Sequence, residues 1–198
     1  MVMSLSINDA TGSTVLLNNR ADSIHIEADN WLTCYLGLGS NLANELGSPI
    51  VHVQQAIEGL SQHEDVRNVR VSSFYASAPM GPQDQPDFIN AVVELETNLA
   101  PLALLDVCQA LEQSAKRARV RHWGERSLDV DLLLYGQEKI AEPRLTVPHA
   151  GLTERNFVLI PLQELAPEIV IAGQPINSYA QASDWTGLRI LADKADDR

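Results

Sequence analysis

The chain of 198 residues has little of what marks several common protein classes. Its two cysteines, Cys34 and Cys108, lie in apolar stretches without the closely spaced Cys or His partners of a zinc site, which predicts buried free thiols. No apolar run reaches the roughly 18 residues of a membrane span. The N-terminus also lacks the basic start of a signal peptide. These absences predict a cytoplasmic protein with no membrane partner.

Basic residues are also scarce, because 14 Lys and Arg stand against 26 Asp and Glu and give a formal net charge of −12 at pH 7. A chain of this charge lacks the broad positive field that nucleic-acid binding needs, and only 5% of its residues are aromatic. We therefore expect no nucleic-acid partner. An RNA-binding domain that uses a local arginine cluster and Trp123 is the alternative.

Apolar periodicity predicts one domain over residues 32–173, with an N-terminal extension (1–31) and a C-terminal tail (174–198). The domain reads as strand, helix, strand, strand, helix, strand. The predicted strands are 33–41, 66–75, 87–99 and 127–136, and the helices begin near Pro49 and at Pro101. This order predicts an α+β ferredoxin-like sandwich, an antiparallel sheet with two main helices on one face.

Two flanking segments are less regular. The extension contains the strand-like pieces STVLL and SIHIEA, which predict an added hairpin or a loose arm. Near the other end, the segment NFVLIPLQELAPEI predicts at most a short helix, because Pro161 and Pro167 bracket it.

Two carboxylates interrupt the apolar strand SLDVDLLLYG (127–136). Because strand side chains alternate, Asp129 and Asp131 project from one face, with a backbone separation of roughly 6 to 7 Å. Two such carboxylates suit Mg²⁺, which keeps several waters and shares substrate phosphates. Two solvated carboxylates on an open sheet face are the alternative.

A basic cluster precedes this strand, with 5 of the 14 basic residues between 116 and 126. They are Lys116, Arg117, Arg119, Arg121 and Arg126. Arginines bind phosphate oxygens bidentately, so arginines beside the DxD indicate a metal–nucleotide site. A solvated helix end is the alternative for the cluster. Trp123 lies beside these charges, where it predicts either a stacking contact with a planar ligand or a core residue.

The segments that carry this chemistry resemble those of the hydroxymethyldihydropterin pyrophosphokinase family of folate biosynthesis. They are LGLGSN (36–41), SSFYASAPMGPQDQPDFIN (72–90), WGERSLDVDLLLYG (123–136) and RLTVPH (144–149). The resemblance implies the ferredoxin-like fold and transfer of pyrophosphate from MgATP to 6-hydroxymethyl-7,8-dihydropterin, with release of AMP. ATP and the pterin would then be the partners of a monomer or weak homo-oligomer.

The resemblance also implies roles for individual residues. Asp129 and Asp131 would bind two Mg²⁺ ions with the triphosphate, and Arg126 would contact phosphate. Arg117 and Arg119 would lie on a mobile loop that closes over the reaction. The residues implied to contact ATP are Gln109, Glu112, Leu132, Arg144, Thr146, His149 and Arg155. Those implied to contact the pterin are Ser77, Met80, Phe88, Asn90, Trp123 and Phe157.

The sequence departs from the family pattern at several of these motifs. Glu125 replaces the usual Pro of WGPR and could pair with Arg126 and weaken its phosphate contact. Lys116 and His122 replace a usual Gly and Arg, and Ser77 and Ala78 stand where Thr and Pro are common. The alternative function is therefore a non-catalytic paralogue that binds pterin or nucleotide.

Overall fold

The computed structural model describes residues 6–8, 14–16, 31–116 and 124–191. The strands are β1 (Ser6–Asn8), β2 (Thr14–Leu16), β3 (Leu32–Ser40), β4 (Val66–Val71), β5 (Tyr75–Ser77), β6 (Phe88–Thr97), β7 (Asp129–Tyr135), β8 (Ile140–Glu142), β9 (Leu145–Val147), β10 (Val170–Ile171), β11 (Gln174–Pro175) and β12 (Leu188–Ile190). The α-helices in these ranges are α1 (Pro49–Ser61), α2 (Pro101–Ser114) and α3 (Asn156–Leu165).

A six-stranded antiparallel sheet organises the chain in the order β12-β5-β6-β3-β7, and β4 also pairs with β6. The sequence predicts one strand over 66–75, but this segment forms two: β4 pairs with residues 93–97 of β6, and β5 with residues 88–90. The interruption has its cause in a contact with β6. At Ser72 a side-chain hydroxyl, instead of a backbone carbonyl, accepts the Val92 N–H at 3.0 Å.

Helices α1 and α2 begin where the sequence predicts, each with proline in its first turn. Pro fits this position because the first N–H groups of a helix have no partner within it. Val53 and Leu60 of α1, and Leu104 and Cys108 of α2, are buried as their helical spacing predicts. Within the described ranges, no helix has both the length and the apolar content needed to span a bilayer.

Alternate residues of β3 belong to different surroundings. Cys34, Leu36 and Leu38 join the apolar cluster that includes residues of α1 and α2. Tyr35 joins the cluster that includes residues of α3. Because successive strand side chains point to opposite faces, Gly37 and Gly39 share the face of Tyr35, which we call the α3 face.

The prediction for 156–169 is wrong in one respect, because Pro161 lies inside α3 instead of before it. A proline here removes the amide that would bond to the carbonyl of Phe157, at a cost of about 3 kcal/mol. Burial of Leu159, Leu162 and other apolar residues of α3 offsets that cost. Apolar packing therefore overrides the local preference.

The two ends of the chain contribute short strands. In the extension, β1 pairs with β2, so part of STVLL forms a hairpin with a segment upstream of it. The predicted strand SIHIEA lies outside the described residues. After Gln174, the chain continues through β11 to β12, which pairs with β5 and places Leu188 opposite Ser77.

Candidate active site

The register of three strands places Gly39 between the side chains of Asp129 and Asn90. Gly39 of β3 is opposite Asn90 of β6 on one side and Asp129 of β7 on the other. A Cβ built on Gly39 would lie 3.5 Å from Asn90 Oδ1 and 4.0 Å from Asp129 Cβ. Two residues along β3, Gly37 is opposite Asp131 of β7, and the Leu133 side chain lies 3.4 Å from the position that a Cβ on Gly37 would take. Gly39 therefore leaves a trough between Asp129 and Asn90.

This trough is the floor of a pocket on the α3 face. Its walls come from the loop after β5, the start of β6, the segment before β7 and the start of α3. The lining includes Gly37, Gly39, Ser77, Met80, Gln85, Phe88, Asn90, Gly124, Arg126, Asp129, Asp131, Arg155 and Phe157. Apolar and aromatic groups therefore lie at one end of the pocket, and charged groups at the other.

Asp129 lies at the charged end, and its side chain is only 14% exposed. The Arg126 guanidinium donates a short hydrogen bond to its carboxylate. One residue along β7, the backbone N–H of Val130 donates to Glu112 Oε1 of α2 at 3.0 Å. The strand that carries the carboxylates is therefore also bonded to α2.

Asp131 is more exposed, with 44% of its side chain accessible, and has two basic residues as neighbours. The Nε2 atom of His149 and the Nη1 atom of Arg155 each lie 3.9 Å from Asp131 Oδ2. His149 Nδ1 accepts the N–H of Gly151 at 3.2 Å, so a neutral His149 carries its proton on Nε2, facing Asp131. Basic groups thus surround both carboxylates.

Asn90 has a fixed side-chain orientation at the apolar end. Its Nδ2 donates to Ser77 Oγ at 2.9 Å, and both residues are buried. The Nδ2 atom also donates to the Phe88 carbonyl at 3.4 Å, which can only accept, so the Oδ1 atom is the one that points toward Gly39 and the pocket. A flat heterocycle with N–H donors, lying against Phe88 and Phe157, would match this arrangement.

Asn41 joins the two ends of the pocket and is a residue that the sequence predictions missed. Its Nδ2 donates to Gln85 Oε1 and to the Pro86 carbonyl, each at 3.1 Å. Its Oδ1 accepts the N–H of Arg126 at 2.8 Å. The position of Asn41 after GLGS, in a turn at the end of a strand, is the only sequence signal that could have indicated this role.

The carboxylate pair has the chemistry of a magnesium site. Mg²⁺ takes one or two protein carboxylates and completes its coordination with waters and phosphate oxygens. In the described parts of the chain, no group of three or more His, Cys, Asp or Glu side chains has the arrangement of a metal site. Asp129 and Asp131 therefore fit an ion that shares phosphate ligands, and the basic groups around them fit the phosphates.

The comparisons with known proteins identify the family. Residues 35–167 match the family described as 7,8-dihydro-6-hydroxymethylpterin-pyrophosphokinase (HPPK). A 2-amino-4-hydroxy-6-hydroxymethyldihydropteridine pyrophosphokinase of Haemophilus influenzae is 47% identical over 73% of this chain and 88% of its own length. The enzyme of the same name from Pseudomonas aeruginosa is 47% identical over 79% of this chain and 95% of its own length. This chain belongs to the HPPK family.

Solved structures support the fold of this HPPK family member. Two crystal structures of Plasmodium falciparum HPPK-DHPS match with TM-scores of 0.58 and 0.60 at 15% and 14% sequence identity. They cover 78% and 77% of this chain, which spans only 44% and 43% of the Plasmodium chains. At this identity the likeness concerns the fold alone: an antiparallel sheet with α-helices, as the sequence predicts.

The HPPK pocket brings together five of the six predicted pterin residues. They are Ser77, Met80, Phe88, Asn90 and Phe157, and Met80 is the most exposed of them. The sixth, Trp123, lies outside the described residues, as do Arg117 and Arg119 of the predicted closing loop. The remaining predicted catalytic and metal residues, Arg126, Asp129 and Asp131, line the same pocket.

Of the seven predicted ATP residues, Arg155 is the one that lines the pocket. His149 lies beside Asp131. On the α2 side, Arg144 donates to Gln109 Oε1 at 3.3 Å, and Thr146 is exposed on β9. The Leu132 side chain is buried in the cluster with α2, so a contact with ATP would use its backbone.

Proposed function

We propose that this pocket binds the pterin at its apolar end and MgATP at its charged end, so that the pterin hydroxyl faces the β-phosphate. The proposal rests on the strand register, in which Gly39 lies between Asn90 and Asp129. One trough then contains an amide that could hydrogen-bond a heterocycle and a carboxylate that could bind a metal ion beside phosphate. As a member of the HPPK family, the chain is an ATP-dependent pyrophosphokinase that acts on hydroxymethyldihydropterin in folate biosynthesis.

The reaction joins the hydroxymethyl oxygen to the β-phosphorus and breaks the bond between that phosphorus and the oxygen of AMP. The proton of the hydroxyl is lost, and the leaving AMP carries the electron pair. A metal bound at Asp129 and Asp131 would neutralise charge on the phosphate oxygens. The guanidinium groups of Arg126 and Arg155 would supply further positive charge around the same phosphates, and His149 Nε2 would supply a hydrogen-bond donor beside them.

Roles for the other predicted residues are part of the same proposal. Arg117 and Arg119 would close over the triphosphate, Trp123 would stack on the pterin, and Gln109, Glu112, Leu132, Arg144 and Thr146 would contact ATP. Two Mg²⁺ ions would bind with the nucleotide. The ferredoxin-like arrangement, with α1 and α2 on one face, is supported by their shared apolar cluster with β3. We also propose a cytoplasmic monomer or weak homo-oligomer.

Release of AMP tests the proposed function directly. The protein is incubated with MgATP and 6-hydroxymethyl-7,8-dihydropterin, and AMP is separated and counted against time. We expect pterin-dependent AMP release that chelation of Mg²⁺ abolishes. Asp129→Ala should lose this activity while keeping its far-ultraviolet circular dichroism. Folded wild-type protein that releases no AMP above background would contradict the proposal.

The non-catalytic alternative rests on Glu125, which places a carboxylate next to Arg126 in the chain. It predicts that nucleotide binds, as measured by calorimetry, without AMP release. Glu125→Pro restores the usual residue and Glu125→Gln removes only the charge. If both variants gain turnover over an inactive wild type, the charge of Glu125 is the cause. If the wild type already turns over, this alternative is excluded.

A further inference from the structure

The turn that holds His149 and Arg155 contains a glycine, Gly151, that touches both. Its N–H donates to His149 Nδ1 at 3.2 Å, which fixes the imidazole plane and turns Nε2 toward Asp131. The turn itself is tied to the sheet, since His149 N–H donates to the Leu133 carbonyl at 3.0 Å. Gly151 therefore contacts both basic residues of the site, His149 after β9 and Arg155 before α3.

The missing side chain of Gly151 makes room for the Arg155 guanidinium. A Cβ at this position would lie 2.8 Å from both Cζ and Nε of Arg155, and 3.0 Å from Nη2. Such distances are shorter than van der Waals contact allows, so a side chain at 151 and the present guanidinium position exclude each other. Arg155 lines the pocket in this position, and its side chain is 21% exposed.

The turn backbone cannot move away from an added methyl group as easily as the arginine can. Leu152, the next residue, is 1% exposed and belongs to the cluster with α3. The Arg155 carbonyl accepts the N–H groups of Val158 and Leu159 in the first turn of α3. Because both ends of the turn are anchored, the flexible arginine side chain is the part that would shift.

Alanine can adopt the backbone conformation of Gly151. Its φ of −94° and ψ of 8° are those of the third residue of a type I turn, which commonly carries a side chain. The backbone angles at position 151 therefore do not require glycine. What it provides is the space beside Arg155 and the N–H toward His149, and alanine would keep the N–H while removing the space.

We infer that Gly151 is a positioning residue that holds the Arg155 guanidinium beside Asp131, where it contacts the phosphates of ATP. The inference rests on the proposed function, because it assigns Arg155 to the nucleotide. It concerns nucleotide affinity first. At the pterin end, Ser77, Phe88 and Asn90 belong to β5 and β6, whereas Phe157 follows Arg155 by two residues at the start of α3. Because the substitution would move the arginine side chain and not the α3 backbone, we expect the smaller effect on pterin affinity.

Calorimetry with Mg²⁺ and a non-hydrolysable ATP analogue tests this inference in the full chain. We expect Gly151→Ala to weaken analogue binding roughly tenfold, the loss typical of a displaced charged hydrogen bond. In steady-state assays, KM for ATP should rise by a similar factor and KM for the pterin by less than about twofold. Thr153→Ala, in the same turn but not a pocket-lining residue, serves as the control and should bind normally.

A double-mutant cycle separates positioning from general damage. In an Arg155→Ala background, Gly151→Ala should change analogue affinity by less than about twofold, because the group it displaces is gone. An equal loss in both backgrounds, or a parallel loss of pterin affinity, would overturn the inference. So would unchanged analogue binding in Gly151→Ala. A wild-type protein that neither binds the analogue nor releases AMP would instead overturn the proposed function.

Discussion

The Arg126 guanidinium donates to the Asp129 carboxylate three residues later, across the mouth of the trough on the α3 face. Both groups are assigned to the same triphosphate, one through a metal and the other directly. The Asp129 carboxylate is thus already paired with the Arg126 guanidinium when no metal ion is bound. If Arg126 contacts phosphate as proposed, it would exchange a carboxylate partner for a phosphate partner when MgATP binds.

The first prediction concerns this exchange. Arg126→Ala should lower kcat/KM for ATP by roughly a hundredfold or more, since a cation that faces the reacting phosphates is removed. The same variant should bind Mg²⁺ without nucleotide at least as tightly as the wild type, because Asp129 loses a competing partner. Arg126→Lys keeps the charge without the planar guanidinium, so its kcat/KM for ATP should lie between those of the wild type and Arg126→Ala. Weaker metal binding in Arg126→Ala would contradict the competition.

The second prediction concerns the floor of the trough. Gly39→Val should fold but lose pterin binding, because its side chain would fill the space between Asn90 and Asp129. The smaller Gly39→Ala meets only ordinary contacts, at 3.5 Å or more, so its unfolding midpoint in urea should stay close to that of the wild type. Calorimetric titration with the pterin is the measurement. If Gly39→Val binds the pterin with the affinity of the wild type, the trough does not hold the pterin ring.

The third prediction concerns Asn41, which is 2% exposed. Asn41→Ala leaves the Arg126 N–H and the Pro86 carbonyl without this partner, and should cost about 2 to 4 kcal/mol of the free energy of unfolding. Urea denaturation measures this loss. Asn41→Asp keeps the acceptor for Arg126 but not the donor for Gln85, so it tests the two loops separately. A loss below about 0.5 kcal/mol in the alanine variant would contradict the linking role.

The fourth prediction concerns alkaline pH. Burial raises the pKa of the Cys34 and Cys108 thiols from about 9 to about 12, and burial, followed by the Glu94 charge, raises the pKa of Tyr35 to about 12. Raised values mean that the folded protein keeps protons that the unfolded chain releases. The stability from these groups is therefore complete below pH 9 and falls as pH rises toward 12.

Two measurements check this pH dependence. The free energy of unfolding should fall above pH 9 by at least about 1.4 kcal/mol per pH unit, the slope for one titrating group. At pH 8 a thiol reagent should label neither cysteine until the protein is unfolded in urea, when both react. In urea, a Cys108→Ala variant should show half as many labelled thiols as the wild type. Rapid labelling of the folded protein would contradict the burial of these thiols.

Local patterns predicted the parts of the site that lie within one strand or loop. Asp129 and Asp131 share a face because alternation is a property of the strand itself. The trough could not be predicted in this way, since Gly39 meets Asn90 and Asp129 only through pairing between segments far apart in sequence. The LGLGSN motif is visible in the sequence, but it predicts no role for its glycines or for Asn41.

Tertiary packing also explains the errors in the fold. Pro161 was read as the boundary of a helix, yet the apolar face of α3 supplies enough burial to carry the helix through it. The division of 66–75 depends on Ser72 meeting Val92, a partner 20 residues away. Gly151 gives no local signal at all, because its significance depends on where the side chain of Arg155 lies.

The pairing of β12 with β5 has a consequence for the newly made protein. Leu188 pairs with Ser77, so the strand that lies outside this pocket residue comes from a segment translated after every described residue that lines the pocket. A nascent chain can therefore form the central strands on the ribosome while the edge at Ser77 is still open. Ribosome-stalled chains that end before residue 188 would expose that edge to proteases and chaperones.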